Sequence, residues 1–593
     1  MSNYCKTIVS LLASLFIASI SIANVPEGGV LFVDDDAGAG GDGLTWNTAY
    51  HFLQDALTTA SQGGVSEIHV AQGTYKPDRN EANPKGTGDR EATFSLVNSV
   101  SLMGGYAGIG ADDPDAQDFE LYETILSGDL LGDDKPDYIN YDENSYHVVY
   151  GNDLVVDTLF EGLTVKAGHS NSEQAGLGGA GMYVTSGELL LSNCRFRDNF
   201  AWSGSGVNAG GGLLLIEGSL QVVLCDFTNN VGRNRGGGLA LSNKTSASFT
   251  NCSFSDNWSA RGSCLYIDNA TVSIADSTFT NNFGNSIFNQ GTLLLVNCTF
   301  VGNQINPDAS RHGGALHNTG PNVLKTNATI IKCTFDSNLG HRGGAIYNFS
   351  ADLKIIDCLF KHNIGTRGGA IAFYAGGDSI STTNSTFVYN SASNSGGAIY
   401  FASGLFSDIY NCILWDNVPD QIEVISSPPR VTFCDVQSGW KGTGNINDDP
   451  LFIDSVNDDY RLSPGSPCID AGHNWRVPID SNDYDADGRT CELFPVDLDG
   501  NPRFNADEND FDTGCGAPVV VDMGAYEYQF DPVEQIKIAD ISGDGVVGTL
   551  DLLSLLAEWG LCEKGCCIAD FNDDGFVVTS DLLFLLANWG PCE

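Results

Sequence analysis

The chain has 593 residues and a formal net charge of −47, with 75 Asp+Glu against 28 Lys+Arg. So acidic a surface repels phosphate backbones and excludes nucleic acid as the expected partner; it favours solubility, calcium and hydrated extracellular surroundings. A hydrophobic content of 42% is compatible with an ordered core.

The N-terminus reads as a secretion signal over residues 1–23. Lys6 is its basic element, residues 8–22 are apolar with small side chains, and Ser21-Ile22-Ala23 fits a small-x-small cleavage site. The apolar run is short for a membrane anchor and no second such run follows, so the expectation is export with no transmembrane segment after cleavage. Residues 24–145 are expected to form an N-terminal cap and the first coils of a repeat structure. Val30-Leu31-Phe32-Val33 reads as a strand. Residues 45–60 read as an amphipathic helix, with Tyr50, Phe52, Leu53, Ala56 and Leu57 near helical spacing. Ile68-His69-Val70-Ala71 and residues 94–103 give further strands, Gly104-Gly105-Tyr106 a turn, and the acidic stretches 112–118 and 133–142 loops. His51, His69, His147 and His169 are expected in core or turn positions.

Residues 146–472 repeat one short pattern. Cys-x-Phe stands at Cys194, Cys225, Cys252, Cys298, Cys333 and Cys358, and Ser277 and Ser385 take the same slot. The Phe is followed three residues on by Asn199, Asn230, Asn257, Asn282, Asn303, Asn338, Asn363 and Asn390. Cys412 continues the Cys position. Many units then carry a Gly-Gly-small-aliphatic step such as Gly343-Gly344-Ala345-Ile346. A unit of this length cannot bury its own apolar face and must stack on its neighbours. The apolar runs inside each unit are too short for helices. The expected fold is therefore all-β: a right-handed parallel β-helix solenoid, each coil rising about 4.8 Å. Asn and Phe should stack as ladders, the Cys should form a row of small buried side chains, and Gly-Gly should mark a turn too tight for a Cβ.

The Gly-Gly-Ala-Ile/Leu and Phe-x-x-Asn units, as in Gly313-Gly314-Ala315-Leu316, Phe335-Asp336-Ser337-Asn338 and Gly396-Gly397-Ala398-Ile399, resemble the repeats of chlamydial polymorphic outer-membrane proteins. That resemblance implies a surface adhesin. Pectate-lyase-like β-helices share the architecture, without a motif specific to them here. The closing region 473–535 and the preceding Asp459-Tyr460-Arg461-Leu462-Ser463-Pro464-Gly465 resemble the end of secreted planctomycete-type β-helix proteins. Asp483-x-Asp485-x-Asp487-Gly488 starts like a calcium loop but has no carboxylate at position twelve, so a solvated acidic loop is the expectation.

Residues 536–593 carry the strongest chemical signal. Asp540, Ser542, Asp544, Val546 and Asp551 stand at positions one, three, five, seven and twelve of one loop; Asp570, Asn572, Asp574, Phe576 and Asp581 repeat them. Gly545 and Gly575 supply the sharp turn at position six. Both loops run into Leu-Leu-x-Leu-Leu-Ala and Trp-Gly. The pair resembles a Gly-Cys-rich type I dockerin, which implies two calcium ions, a small α-helical EF-hand-like module, and a cohesin-like protein or cell-surface component as partner. The family's contact positions fall here on Thr549, Leu550, Thr579 and Ser580. Leu550 departs from the usual hydroxyl pair. Disulfides are expected among Cys468, Cys491, Cys515, Cys562, Cys566, Cys567 and Cys592, with pairing open.

Arg235, Arg261, Arg342 and Arg367 each precede the glycine turn, and His312 takes that place in another coil. Stacked coils would line them up as a positive stripe for a polyanionic sugar chain. The bland alternative is pairing with nearby acids or turn carbonyls. Polysaccharide lyases of this architecture use Arg or Lys as base, so Arg342, Arg367 and Asp336 are the catalytic candidates, with His341 and His362 as neighbours of Asp336. The expectation is a secreted or surface-attached protein that engages extracellular polysaccharide, as a lyase or glycoside hydrolase or else as a non-catalytic adhesin or scaffold.

Overall fold

A computed structural model describes residues 28–593 except 156–157, 172–177, 203–209, 306–311, 321–325, 375–378, 403–406, 481–491, 505–513, 516–518, 530–540, 542–545, 562–568, 570–575, 588 and 592–593. The expected secretion signal and the expected acidic loop at Asp483 to Asp487 lie outside the described residues. So do Asp540, Ser542, Asp544, Asp570, Asn572 and Asp574, and Cys491, Cys562, Cys566, Cys567 and Cys592. The chain forms two compact units. One comprises residues 1–382, 387–408 and 414–430, the other 383–386, 409–413 and 431–593.

The first unit is an all-β solenoid of parallel strands. A representative coil runs Leu316–Thr319, Asn327–Ile331, Thr334–Asp336, and its neighbour runs Ile346–Phe349, Asp352–Ile356, Leu359–Lys361; each strand pairs in parallel with its counterpart. The Cys-x-Phe strands form one such series, Phe196 opposite Phe227, Phe254, Phe279, Phe300, Phe335 and Phe360 in turn. These rings and Phe387 stack face to face at centroid distances of 4.4–5.1 Å and interplanar angles of 2–8°. All are buried.

The Asn residues form the expected ladder. From Asn199 to Asn390, each Nδ2 donates to the next Oδ1 at 2.8–3.1 Å. Each Nδ2 also donates to a carbonyl of the preceding coil, as Asn338 does to Phe300 at 3.0 Å. Each Oδ1 accepts both the amide and the backbone N–H of the Asn before it, as Asn363 does from Asn338. A fully buried polar side chain is thereby saturated. The ladder extends one rung past the sequence reading, to Asn417, where Leu414 holds the Phe slot and Gln421 Oε1 closes the row at 2.6 Å. A second buried ladder, Asn289, Asn318, Asn348, was not apparent in the sequence.

The repeat cysteines are buried free thiols. Their Sγ atoms accept backbone N–H groups, Cys225 from Cys194 at 3.3 Å and Cys358 from Cys333 at 3.4 Å. Ser277 Oγ does the same for Cys252 at 3.0 Å, which is why serine substitutes there.

Two local expectations are corrected. Residues 45–60 are not one helix but a 3-10 turn, Trp46–Thr48, and an α-helix, Leu53–Ala60. Tyr50 commits its backbone to the strand Gly29–Val33, its N–H to Phe32 and its carbonyl to Asp34, and so interrupts the helix. Gly104-Gly105-Tyr106 is the end of the strand Ser101–Tyr106 rather than a turn. A Cβ on Gly104 would lie 2.6 Å from the Gly162 carbonyl, so glycine serves close approach of backbones there.

The second unit holds the closing segment. Arg503 is completely buried. Its guanidinium donates to the carbonyls of Gly524 (3.1 Å) and Ala525 (2.9 Å) and meets Glu527 at 3.4 Å. Asp522 accepts the N–H of Asp470, and Asp497 that of Glu527, so the acidic sequence of this segment is an interior network. Cys468 is a buried free thiol and Cys515 an exposed one. Of the four histidines named above, His169 is buried with Nδ1 2.6 Å from the Tyr141 carbonyl, and His51 and His147 are half-buried against the carbonyls of Ala37 and Gly179; His69 departs from the expectation, being half-buried within the strand Val65–Ala71 with Nε2 2.7 Å from Glu67.

Candidate functional site

The Gly-Gly step sets the site's geometry. Gly343 has φ +63°, and a Cβ there would meet the Ile346 carbonyl at 1.8 Å, so only glycine fits the turn. The residue before it stands at the same point of each coil; Arg342 and Arg367 face one another as a parallel bridge.

On the neighbouring strands an aromatic row runs along the coils. Tyr266 pairs in register with Phe288, then His317, Tyr347, Ala372 and Tyr400. Each cation lies over a ring of the following coil. The guanidinium carbon of Arg235 is 4.8 Å from the Tyr266 centroid, Arg261 5.5 Å from Phe288 and Arg367 5.5 Å from Tyr400. The imidazole of His312 lies 4.4 Å from Tyr347. Ala372 interrupts the row, and Arg342 instead covers Tyr374 at 4.3 Å. Arg367 also donates to the Tyr374 hydroxyl at 3.4 Å.

These cations are ring-covered rather than bare, and of the four arginines only Arg235 has a carboxylate within ion-pair distance among the described residues. Arg235 has Asp268 at 3.9 Å. Among the described residues no carboxylate forms an ion pair with Arg261, Arg342 or Arg367. A ring face orients a guanidinium and contributes about 0.5–1 kcal/mol without neutralising it. His317 and His341 add little charge. Burial, then His312 and Arg261, push the His317 imidazole down to about 3, and His341 is lowered by burial and by Arg342 and Arg367. Fixed charge therefore resides on the arginines.

Asp336 is not part of this row. It stands on the strand Thr334–Asp336, with Lys361 Nζ at 3.4 Å, His362 Nδ1 at 3.5 Å and Ser337 Oγ at 2.7 Å. Its expected neighbour His362 is beside it. The other, His341, lies against His312 at 5.6 Å instead, in the arginine row. Among the described residues Asp336 makes no hydrogen bond or ion pair with Arg342 or Arg367.

In the C-terminal module, helices Thr549–Ala557 and Thr579–Ala587 follow the two loops. Val546–Val547 pairs antiparallel with Gly590–Pro591, and Gly560–Leu561 with Phe576–Val577. A small core gathers Val547, Leu555, Ala569, Val577 and Leu585. The last loop position is alike in both halves. Asp551 and Asp581 are buried, and their Oδ2 atoms accept the N–H of Gly548 (2.7 Å) and Val578 (2.9 Å). Thr549, Leu550, Thr579 and Ser580 are all exposed. Leu553, Leu556 and Trp559 are exposed, as are their counterparts Leu583, Leu586 and Trp589.

The family model described as "Right handed beta helix region" matches residues 178–338. That described as "Chlamydia polymorphic membrane protein (Chlamydia_PMP) repeat" matches residues 384–402, the stretch holding Asn390 and Gly396-Gly397-Ala398-Ile399. The chain is a right-handed β-helix repeat protein. No curated protein sequence matches it. Among solved structures, pectate lyase Pel9A is similar at 13% identity and a TM-score of 0.31, covering 77% of this chain and 94% of that one. The deglycosylated pectin methylesterase from Aspergillus niger is similar at 13% identity and a TM-score of 0.23, covering 67% and 91%.

Proposed function

We propose that this right-handed β-helix protein is exported and engages an acidic polysaccharide outside the cell through the row Arg235, Arg261, His312, Arg342 and Arg367. One observation carries the reading: on a chain of charge −47, Arg261, Arg342 and Arg367 are held over aromatic rings with no carboxylate partner among the described residues. A polyanion running along the coils meets one cation per coil over part of its length.

The C-terminal module is the anchor in this reading. Asp540, Ser542, Asp544, the Val546 carbonyl and Asp551 hold one calcium ion; Asp570, Asn572, Asp574, the Phe576 carbonyl and Asp581 hold the other. The donor set is all oxygen, which suits calcium. The matching burial of Asp551 and Asp581 supports the pairing of the two loops. The exposure of Thr549, Leu550, Thr579 and Ser580 supports docking onto a cohesin-like protein or cell-surface component.

The second reading, a non-catalytic adhesin or scaffold, draws on the Chlamydia-type repeat and on the placement of Asp336 away from the arginines. A panel of pectate, alginate, sulfated and neutral glycans with calcium present tests both. New unsaturated or reducing ends that vanish in Arg342→Ala or Arg367→Ala make the protein a lyase or hydrolase. Binding of acidic glycans without cleavage makes it an adhesin. Equal binding of neutral and acidic glycans overturns the arginine row as the site.

A further inference from the structure

The loop that leaves the strand Thr124–Ser127 brings four carboxylates together. Asp129, Asp133, Asp134 and Glu143 each present an oxygen within 4.8 Å of the others. Oxygens sharing one calcium ion at 2.3–2.6 Å stand no more than about 5 Å apart, so one ion accounts for the spacing. The sequence reads residues 133–142 as a loop, and nothing in it shows that positions fourteen residues apart converge.

A second observation points to the same ligand. Asn144 is completely buried, and its Nδ2 donates to Asp134 Oδ2 at 2.8 Å, which sets its amide against the cluster. Its Oδ1 has no hydrogen-bond partner, and neither has the inward-facing Asp134 Oδ1. Unpaired buried oxygens of this kind are costly unless a cation or water meets them. Lys76, whose Nζ donates to the Leu130 carbonyl at 3.3 Å, is a neighbouring ammonium, near Asp129 and Glu143 of the four.

We propose that Asp129, Asp133, Asp134 and Glu143, with Asn144, form a calcium site that fastens this loop across the first coils. The loop is placed to act as a strap. Tyr138 donates through its hydroxyl to the Asn229 carbonyl and packs on Phe200 at 5.0 Å, and Asn144 reaches the Ala167 carbonyl at 2.8 Å. An oxygen set with four carboxylates selects calcium over zinc or copper.

The test uses the full chain carrying Asp540→Ala and Asp570→Ala, which removes the C-terminal loops. Calcium titration by calorimetry is expected to show one remaining equivalent, lost when Asp134→Asn and Glu143→Gln are added. Calcium should also raise the melting temperature of the first protein and not of the second. A folded Asp540→Ala/Asp570→Ala protein that binds no calcium overturns the proposal. If the fourfold variant does not fold, proteolysis of the unmutated chain decides. Cleavage within residues 128–145 should rise at least tenfold on chelation, and an unchanged rate overturns the strap.

Discussion

The guanidinium of Arg342 lies 4.3 Å from the ring centroid of Tyr374, a residue of the next coil, not its own. The same cross-coil relation holds for Arg235 with Tyr266, Arg261 with Phe288 and Arg367 with Tyr400. Each arginine thus ties two coils together, and Arg261, Arg342 and Arg367 do so with no carboxylate partner among the described residues, whereas Arg235 has Asp268 at 3.9 Å. Removing the ring should therefore affect two properties. Tyr374→Ala is expected to destabilise the fold by on the order of 1–2 kcal/mol, since Tyr374 is only half-buried, and to weaken binding of acidic glycans as well. Tyr374→Phe, which keeps the ring and loses the Arg367 hydrogen bond, should retain most of both. Chemical denaturation alongside glycan titration checks the pair.

The asparagine ladder is the polar axis of the solenoid. Asn338 donates to Asn363 and to the Phe300 carbonyl, and accepts two N–H groups from Asn303. Asn338→Ala leaves these partners buried and unpaired, for a loss on the order of 3 kcal/mol in denaturant unfolding. Asn338→Asp should cost at least as much at neutral pH, because a carboxylate cannot donate to either acceptor.

The cysteine row behaves as a row of small side chains. Cys333→Ser should change stability by less than about 1 kcal/mol, since Ser277 already accepts a backbone N–H in the same slot. Native thiol labelling mapped by mass spectrometry should modify Cys515, which is exposed, and spare Cys194, Cys225, Cys298 and Cys333. Labelling of the repeat thiols at native rates would show that the coils open.

Asp435 offers a pH test in the second unit. It is fully buried beside the Cys468 thiol, and burial raises its carboxyl to about 7. The folded state then holds its proton more tightly than the unfolded state does. The contribution is present below the unfolded value near 3.8 and is lost as pH rises through about 7. Asp435→Asn should therefore stabilise this unit above pH 7, by on the order of 2–4 kcal/mol, and leave it unchanged near pH 4. Melting curves of both proteins between pH 4 and 8 decide it.

In the C-terminal module, Asp540→Ala with Asp570→Ala should abolish docking to the partner while the β-helix keeps its far-ultraviolet signature and melting temperature. Protease sensitivity of residues 536–592 should rise when calcium is chelated. Docking that survives the double substitution would mean that the module binds without its loops.

The repeat was legible because its marker residues face inward at fixed register. Phe196, Asn199 and Cys194 recur wherever a coil passes the same point, and the chain cannot vary them without leaving a cavity or an unpaired amide. Legibility stopped where the slot changed chemistry. Leu414 in place of Phe hid Asn417. The Asn289 ladder was hidden by connecting loops of unequal length. The arginines were visible before each glycine turn, but their ring partners were not, since each ring sits one coil away in sequence. The grouping of Asp336 with His341 failed because the chain leaves the strand Thr334–Asp336 and carries His341 to the glycine turn beside His312. The acidic stretch 133–142 was legible as a loop, but its convergence with Asp129 and Glu143 was not, for a like reason: convergence is a property of the fold, not of spacing.

The most direct measurement is the affinity of an oligouronate for the intact protein and for Arg342→Ala/Arg367→Ala across a range of salt. The account predicts at least a tenfold loss of affinity in the variant and a shallower salt dependence, because two desolvated charge contacts are removed. Equal affinity and equal salt dependence in the two proteins would contradict the arginine row as the binding surface.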